Sequence, residues 1–137
     1  MDPTHYQKLK AKALKVLAQR EHSRYELQQK LAKNSEDSAL IEHILNECEQ
    51  ENWLNEARFV QAYLQYRAQK QYGPKKIRYE LQQRGVSAEQ IEHALSPCNL
   101  DWTALAETAR QRKFGKAPPQ TWTERGKQNQ YLYQRGF

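Results

Sequence analysis

The sequence predicts an all-α protein built as an elongated array of tandem three-helix repeats, and three observations predict it. The hexapeptide Tyr25-Glu26-Leu27-Gln28-Gln29-Lys30 returns 54 positions later as Tyr79-Glu80-Leu81-Gln82-Gln83-Arg84. The run Ile41-Glu42-His43-Ile44-Leu45 returns after 50 as Ile91-Glu92-His93-Ala94-Leu95. Apolar residues recur at helical spacing throughout, whereas strict alternation is absent and β-branched residues are few. Repeated units of this size stack on their neighbours, which leaves a long surface suited to another polymer.

The elements follow in order. Asp2-Pro3 supplies a cap and a pre-set first-turn residue for a helix whose stripe is Tyr6, Leu9, Ala13, Val16 and Leu17. Ser23-Arg24-Tyr25-Glu26 reads as a capping box that opens a short helix with Leu27 and Leu31 on its inner face. Ser35 or Ser38 is expected to start a third helix carrying Leu40, Ile41, Ile44, Leu45 and Cys48, which completes a unit over residues 1–50. In the second unit, 51–97, Asn55 caps a helix with Phe59, Val60, Tyr63 and Leu64. Gly73-Pro74 stops it and starts the next, which carries Ile77 and Leu81 and closes at Gly85. Ser87 to Gln90 reads as a second capping box before Ile91, Ala94 and Leu95. In the third unit, 98–137, Asp101 caps a helix with Trp102, Leu105, Ala106 and Ala109, and Gly115 with Pro118-Pro119 breaks it. Thr121 to Glu124 reads as a third box opening a helix through Leu132. Arg135-Gly136-Phe137 then matches Arg84-Gly85-Val86, so by the repeat the third unit is expected to lack its last helix.

Leu, Ile, Val and Phe together number 24 in 137 residues, which implies thin cores, one per unit. No apolar run approaches the roughly 20 residues of a membrane span, and the N-terminus has no signal-peptide core. Two cysteines exclude a disulfide scaffold. A soluble, cytoplasmic monomer is the expectation.

Charge alternates with the repeat. Residues 1–35 are net +5, 36–58 are −6, 64–84 are +5, 85–109 are −4 and 110–137 are +6. Stacked units that align their basic helices would present a stripe to a polyanion or an acidic protein face. Aromatics interleave with the bases, a mixture that suits phosphate contact with stacking. The candidate binding residues are Arg24, Arg67, Lys70, Tyr72, Lys75, Lys76, Arg78, Arg84, Arg110, Arg112, Lys113, Arg125, Lys127 and Arg135. Each has a plainer reading as a solvated outward face.

His43 and Cys48 recur as His93 and Cys98, but residues five apart on a helix point about 140° apart, so one helix cannot aim both at one ion. Cys48 fits better as a buried small hydrophobe. No phosphate loop, nucleophile elbow or paired-carboxylate motif is present. No metal, cofactor or catalytic residue is expected.

The stretch Arg20 to Leu27 with Lys30-Leu31 resembles the first-repeat signature of the RecX family, bacterial regulators of the RecA recombinase. Trp53 to Phe59, followed by Tyr63, Arg67, Gly73, Ile77, Glu80-Leu81 and Arg84-Gly85-Val86, resembles the second. Arg110 to Phe114 and Tyr131 to Phe137 resemble the third. Glu56 stands where the family usually has aspartate and Val60 where it usually has alanine. The resemblance covers nearly the whole chain. It implies a curved molecule that binds in the groove of the RecA–single-stranded-DNA filament and inhibits ATP hydrolysis, strand exchange and co-protease activity. Some members also bind DNA. It carries over no catalytic residue. The competing reading is a helical-repeat module that binds single- or double-stranded DNA without a recombinase.

Overall fold

The computed structural model describes residues 2–137, and within them the regular elements are eight α-helices with no strand. In chain order they are α1 (Pro3–Gln19), α2 (Arg24–Ala32), α3 (Ser38–Gln50), α4 (Glu56–Gln69), α5 (Pro74–Gln83), α6 (Ala88–Leu95), α7 (Trp102–Phe114) and α8 (Trp122–Gln134). The principal helix packings all fall inside three units: α1–α2–α3, α4–α5–α6 and α7–α8.

The caps set the boundaries. Asp2, Ser23, Asn55, Ser87, Asp101 and Thr121 each accept an amide of the first turn they precede. Ser23 and Glu26 form the full reciprocal box. The second box is half formed, because Ser87 accepts from the Gln90 amide without a reciprocal bond to the cap backbone. In the third, the Glu124 carboxylate reaches past the cap to the Gln120 amide, at 2.6 Å. Helix α3 starts at Ser38, one of the two serines expected to start it, and its cap is Asp37, which takes the Leu40 amide. A carboxylate beside the positive end of a helix outcompetes a neighbouring hydroxyl.

The first core gathers Leu9 and Ala13 from α1, Leu27 and Leu31 from α2, and Leu40, Ile41, Ile44, Leu45 and Cys48 from α3, with Leu54 tucked in from the next segment. The second gathers Phe59, Val60 and Leu64 from α4, Ile77 and Leu81 from α5, Val86, and Ile91, Ala94 and Leu95 from α6. Tyr63, Cys98, Leu100 and Trp102 pack against it. The third unit has no comparable cluster. Within 101–134 its buried positions are Ala109 and Gln128, and an edge-on contact joins Phe114 to Tyr131 at 5.4 Å. Gln128 stands 51 residues after Ile77, so a polar amide occupies the place of a core isoleucine.

The hexapeptide echo is offset from the structural repeat by one turn of helix. Ser23 and Gly73 are the caps of α2 and α5, so Leu27 is equivalent to Ile77 and Leu31 to Leu81. Tyr25 lies in the first turn of α2, whereas Tyr79 lies in the middle of α5. Both segments present similar faces because one helical turn returns a side chain nearly to its starting direction.

Candidate functional site

The second and third units meet around the turn between α4 and α5. Helix α4 ends with Gln71 in the left-handed region, at φ 69°, and the Tyr72 amide returns to the Arg67 carbonyl at 3.1 Å. This is the Schellman closure that usually takes glycine. Arg67 forms two parallel bonds to the Glu80 carboxylate on α5, both at 2.8 Å. Burial opposes the charge on Arg67, but the hydrogen bond and attraction of Glu80 outweigh it and hold its pKa above the ordinary value. Glu80 also accepts from the Tyr63 hydroxyl, and burial foremost pushes that phenol up to about 12.

Tyr72 lies between two guanidinium groups, with Arg67 at 3.8 Å and Arg135 at 4.0 Å from its ring centre. Lys76 reaches the same ring at 5.4 Å. Arg135 continues to Tyr131, which Lys113 also meets, and Lys75 lies over Tyr133. Lys70 lies over Tyr66, and these two with Gln69, Gln71 and Arg112 line one depression in the surface. Lys70, Lys75, Lys76, Arg112, Lys113 and Arg135 thus share one tyrosine-interleaved patch, and none of the six forms an ion pair with a carboxylate among the described residues. Uncompensated cations held together by neutral aromatic rings suit an anionic surface, because binding relieves their mutual repulsion.

The remaining candidates divide. Arg24 is tied to Glu42 and Glu49 of α3 and donates to Asn46 at 3.0 Å. Arg78 meets Glu92 at 2.5 Å. Arg84 stacks on Tyr63, donates to the Glu80 carbonyl and lies 3.5 Å from Glu26 across the first unit junction. Arg110 bridges α7 and α8, bonding Glu107, Gln128 and the Ala117 carbonyl. With Arg67, these side chains hold helices together. Arg125 and Lys127 are exposed near the start of α8, beside Trp122, which is 87% exposed. They lie about 12–15 Å along that helix from Arg135, so they form a separate group.

Sequence reasoning left Tyr66, Tyr131, Tyr133 and Gln71 off the candidate set. The spacing Tyr131-Leu132-Tyr133 held a signal, since residues two apart on a helix point to different sides. Tyr131 turns inward against Phe114 while Tyr133 stays 71% exposed. Gln71 is at the patch because of the turn, and no local pattern marks it.

Among the described residues, no group of three or more His, Cys, Asp and Glu side chains is placed to hold a metal ion. No helix among them is long and apolar enough to cross a membrane.

Comparison with known proteins is consistent over most of the chain. Residues 10–48, 55–95 and 101–137 match the family models for the first, second and third three-helix domains of RecX, respectively. A Regulatory protein RecX of Serratia proteamaculans is 37% identical, over 94% of this chain and 90% of its own length. One of Pseudomonas fluorescens is 40% identical, over 91% and 81%. The crystal structure of RecX from Lactobacillus salivarius superposes with a TM-score of 0.82 at 21% identity, over 98% of this chain and 89% of that one.

Proposed function

We propose a function from one premise: this chain belongs to the RecX family. On that premise it is a cytoplasmic regulatory protein that docks on the RecA–single-stranded-DNA filament and inhibits its ATPase, strand-exchange and co-protease activities without a catalytic step of its own. The observation that carries this reading is the patch where the second and third units meet, with its six cations outside any ion pair among the described residues and the rings of Tyr66, Tyr72, Tyr131 and Tyr133. A titration on bare single-stranded DNA, on the recombinase alone and on the assembled filament tests it. The filament should bind at least about tenfold more tightly than either component, which is about 1.4 kcal/mol. Equal affinity for bare DNA and filament contradicts it.

A second reading is direct binding to nucleic acid, favoured by Trp122 at 87% and Tyr133 at 71% exposure on a helix flanked by Arg125 and Lys127. Exposed rings beside cations suit base stacking with phosphate contact. Under this reading the affinity for bare single-stranded DNA falls with salt, with a logarithmic slope near −0.7 per phosphate neutralised.

A further inference from the structure

We infer that the turn Arg135-Gly136-Phe137 is a latch that fixes the third unit to the second, and that opening it frees the third unit as a basic arm while the first two units stay folded. The third unit has no apolar cluster of its own, and it touches the second core only at its start, where Cys98, Leu100 and Trp102 pack against that core. The rest of its hold on the second unit, at the far end of α8, runs through backbone groups. The Gly73 amide donates to the Arg135 carbonyl at 2.7 Å and the Lys75 amide to the Gly136 carbonyl at 3.0 Å. Both donors belong to the start of α5, where no side chain caps the helix. A helix start leaves such amides without partners, and here the third unit supplies the acceptors.

The other half of the grip is at the end of α4. Arg135 donates from Nε to the Gln71 carbonyl at 2.8 Å and from Nη2 to the Lys70 carbonyl at 2.6 Å, while its plane lies over Tyr72. A cation thus sits at the negative end of one helix and a carbonyl oxygen at the positive end of the next. The approach is so close that it requires glycine on both sides. A Cβ on Gly73 would fall 2.5 Å from the Gly136 carbonyl carbon, and one on Gly136, at φ +97°, would fall 2.5 Å from the Lys76 backbone nitrogen.

The first junction uses the same device. Arg84 and Gly85, which stand 51 residues before Arg135 and Gly136, meet the start of α2. The Ser23 hydroxyl donates to the Arg84 carbonyl at 2.7 Å, and a Cβ on Gly85 would fall 2.5 Å from the Tyr25 Cβ. There, however, Arg58–Glu21 and Arg84–Glu26 ion pairs reinforce the joint. No carboxylate pair spans the second junction among the described residues, so it is the weaker joint. Opening it would separate Arg112 and Lys113 from Lys70, Lys75 and Lys76, whatever those cations bind.

Hydrogen exchange at single amides of the full chain tests the latch, because protection of Lys75 depends on the third unit whereas that of Ile77, bonded to the Gly73 carbonyl, does not. In the parent, the Lys75 amide should be protected. Gly73→Ala and Arg135→Ala should each speed its exchange at least about tenfold while Ile77, Leu81 and Leu31 keep theirs. Gly126→Ala, where a Cβ would meet nothing within 4 Å, should leave Lys75 as in the parent. A Lys75 amide that is unprotected in the parent, or unmoved in both variants, overturns the latch. So does loss of protection throughout α4–α6 in both variants, which would make the turn part of the second core.

Discussion

Leu81→Ala probes whether the second unit is held by the thin core described above. Leu81 is fully buried in α5 among Ile77, Leu64, Val86 and Ile91. Truncation to alanine removes three carbons, which at about 0.8 kcal/mol per buried methylene is roughly 2.4 kcal/mol of transfer energy. A residual void on the order of 50 Å³ adds about 1.2 kcal/mol at about 24 cal/mol per Å³. The expected destabilisation is therefore about 3–4 kcal/mol, inside the roughly 2–5 kcal/mol usual for such truncations. A thermal melt followed by circular dichroism should shift by on the order of 10 °C. Leu14→Ala, at a position of α1 that is 37% exposed, is the control and should cost under about 1 kcal/mol. Because the principal packings lie within units, amide exchange should rise most in α4–α6 and less in α1–α3. A midpoint within about 1 °C of the parent would show that the core assignment is wrong.

Two further outcomes concern the first unit and its joint. Ser23→Ala should cost about 1–3 kcal/mol and Ser87→Ala about 0.5–1 kcal/mol in urea melts, because buried Ser23 both caps α2 and donates to Arg84 across the joint, whereas exposed Ser87 only caps. Equal midpoints for the two variants would remove the joint from the account. His22 is buried, with Nδ1 on the Arg20 carbonyl at 2.9 Å and Nε2 accepting from Lys30 at 2.7 Å. Burial foremost, with the charges of Arg20 and Lys30, lowers its pKa despite the Arg20 carbonyl bond and nearby Glu26. The unfolded chain therefore takes up a proton that the folded one refuses, so His22 costs the fold no stability above about pH 6.5 and progressively more as pH falls below it. Urea midpoints between pH 7.5 and 5.5 should fall in the parent and flatten in His22→Gln; parallel curves would contradict this.

The helices were legible because their signals are local. Asp2-Pro3, Ser23 with Glu26, Asn55, Gly73-Pro74 and Asp101 each mark an end within four residues, and the apolar stripes name nearly every core side chain. At α3, where Ser35, Asp37 and Ser38 stand together, the helix starts at Ser38 as expected, but the cap is the Asp37 carboxylate, which the sequence reading had not singled out. The hexapeptide echo misplaced the register because a shift of one helical turn preserves which face is apolar. The candidate site was half legible. Composition finds the bases, but it cannot tell Lys75, outside any ion pair, from Arg67, fastened to Glu80 thirteen residues away, or Arg24, fastened to Glu42 and Glu49. Those pairings, like the approach of Gly73 to Gly136, depend on tertiary placement that no short window contains.

The most direct test of the central claim is ATP hydrolysis by the RecA–single-stranded-DNA filament, titrated with the parent and with Lys75→Glu/Lys76→Glu. Both residues are on α5 at the patch and neither forms an ion pair among the described residues, so reversal leaves the core intact, and the variant's melt should match the parent. The account predicts that the parent suppresses hydrolysis and that the variant needs at least about tenfold more protein for the same effect. A folded variant that inhibits at the parent's concentration, or a parent that leaves hydrolysis unchanged, would contradict it.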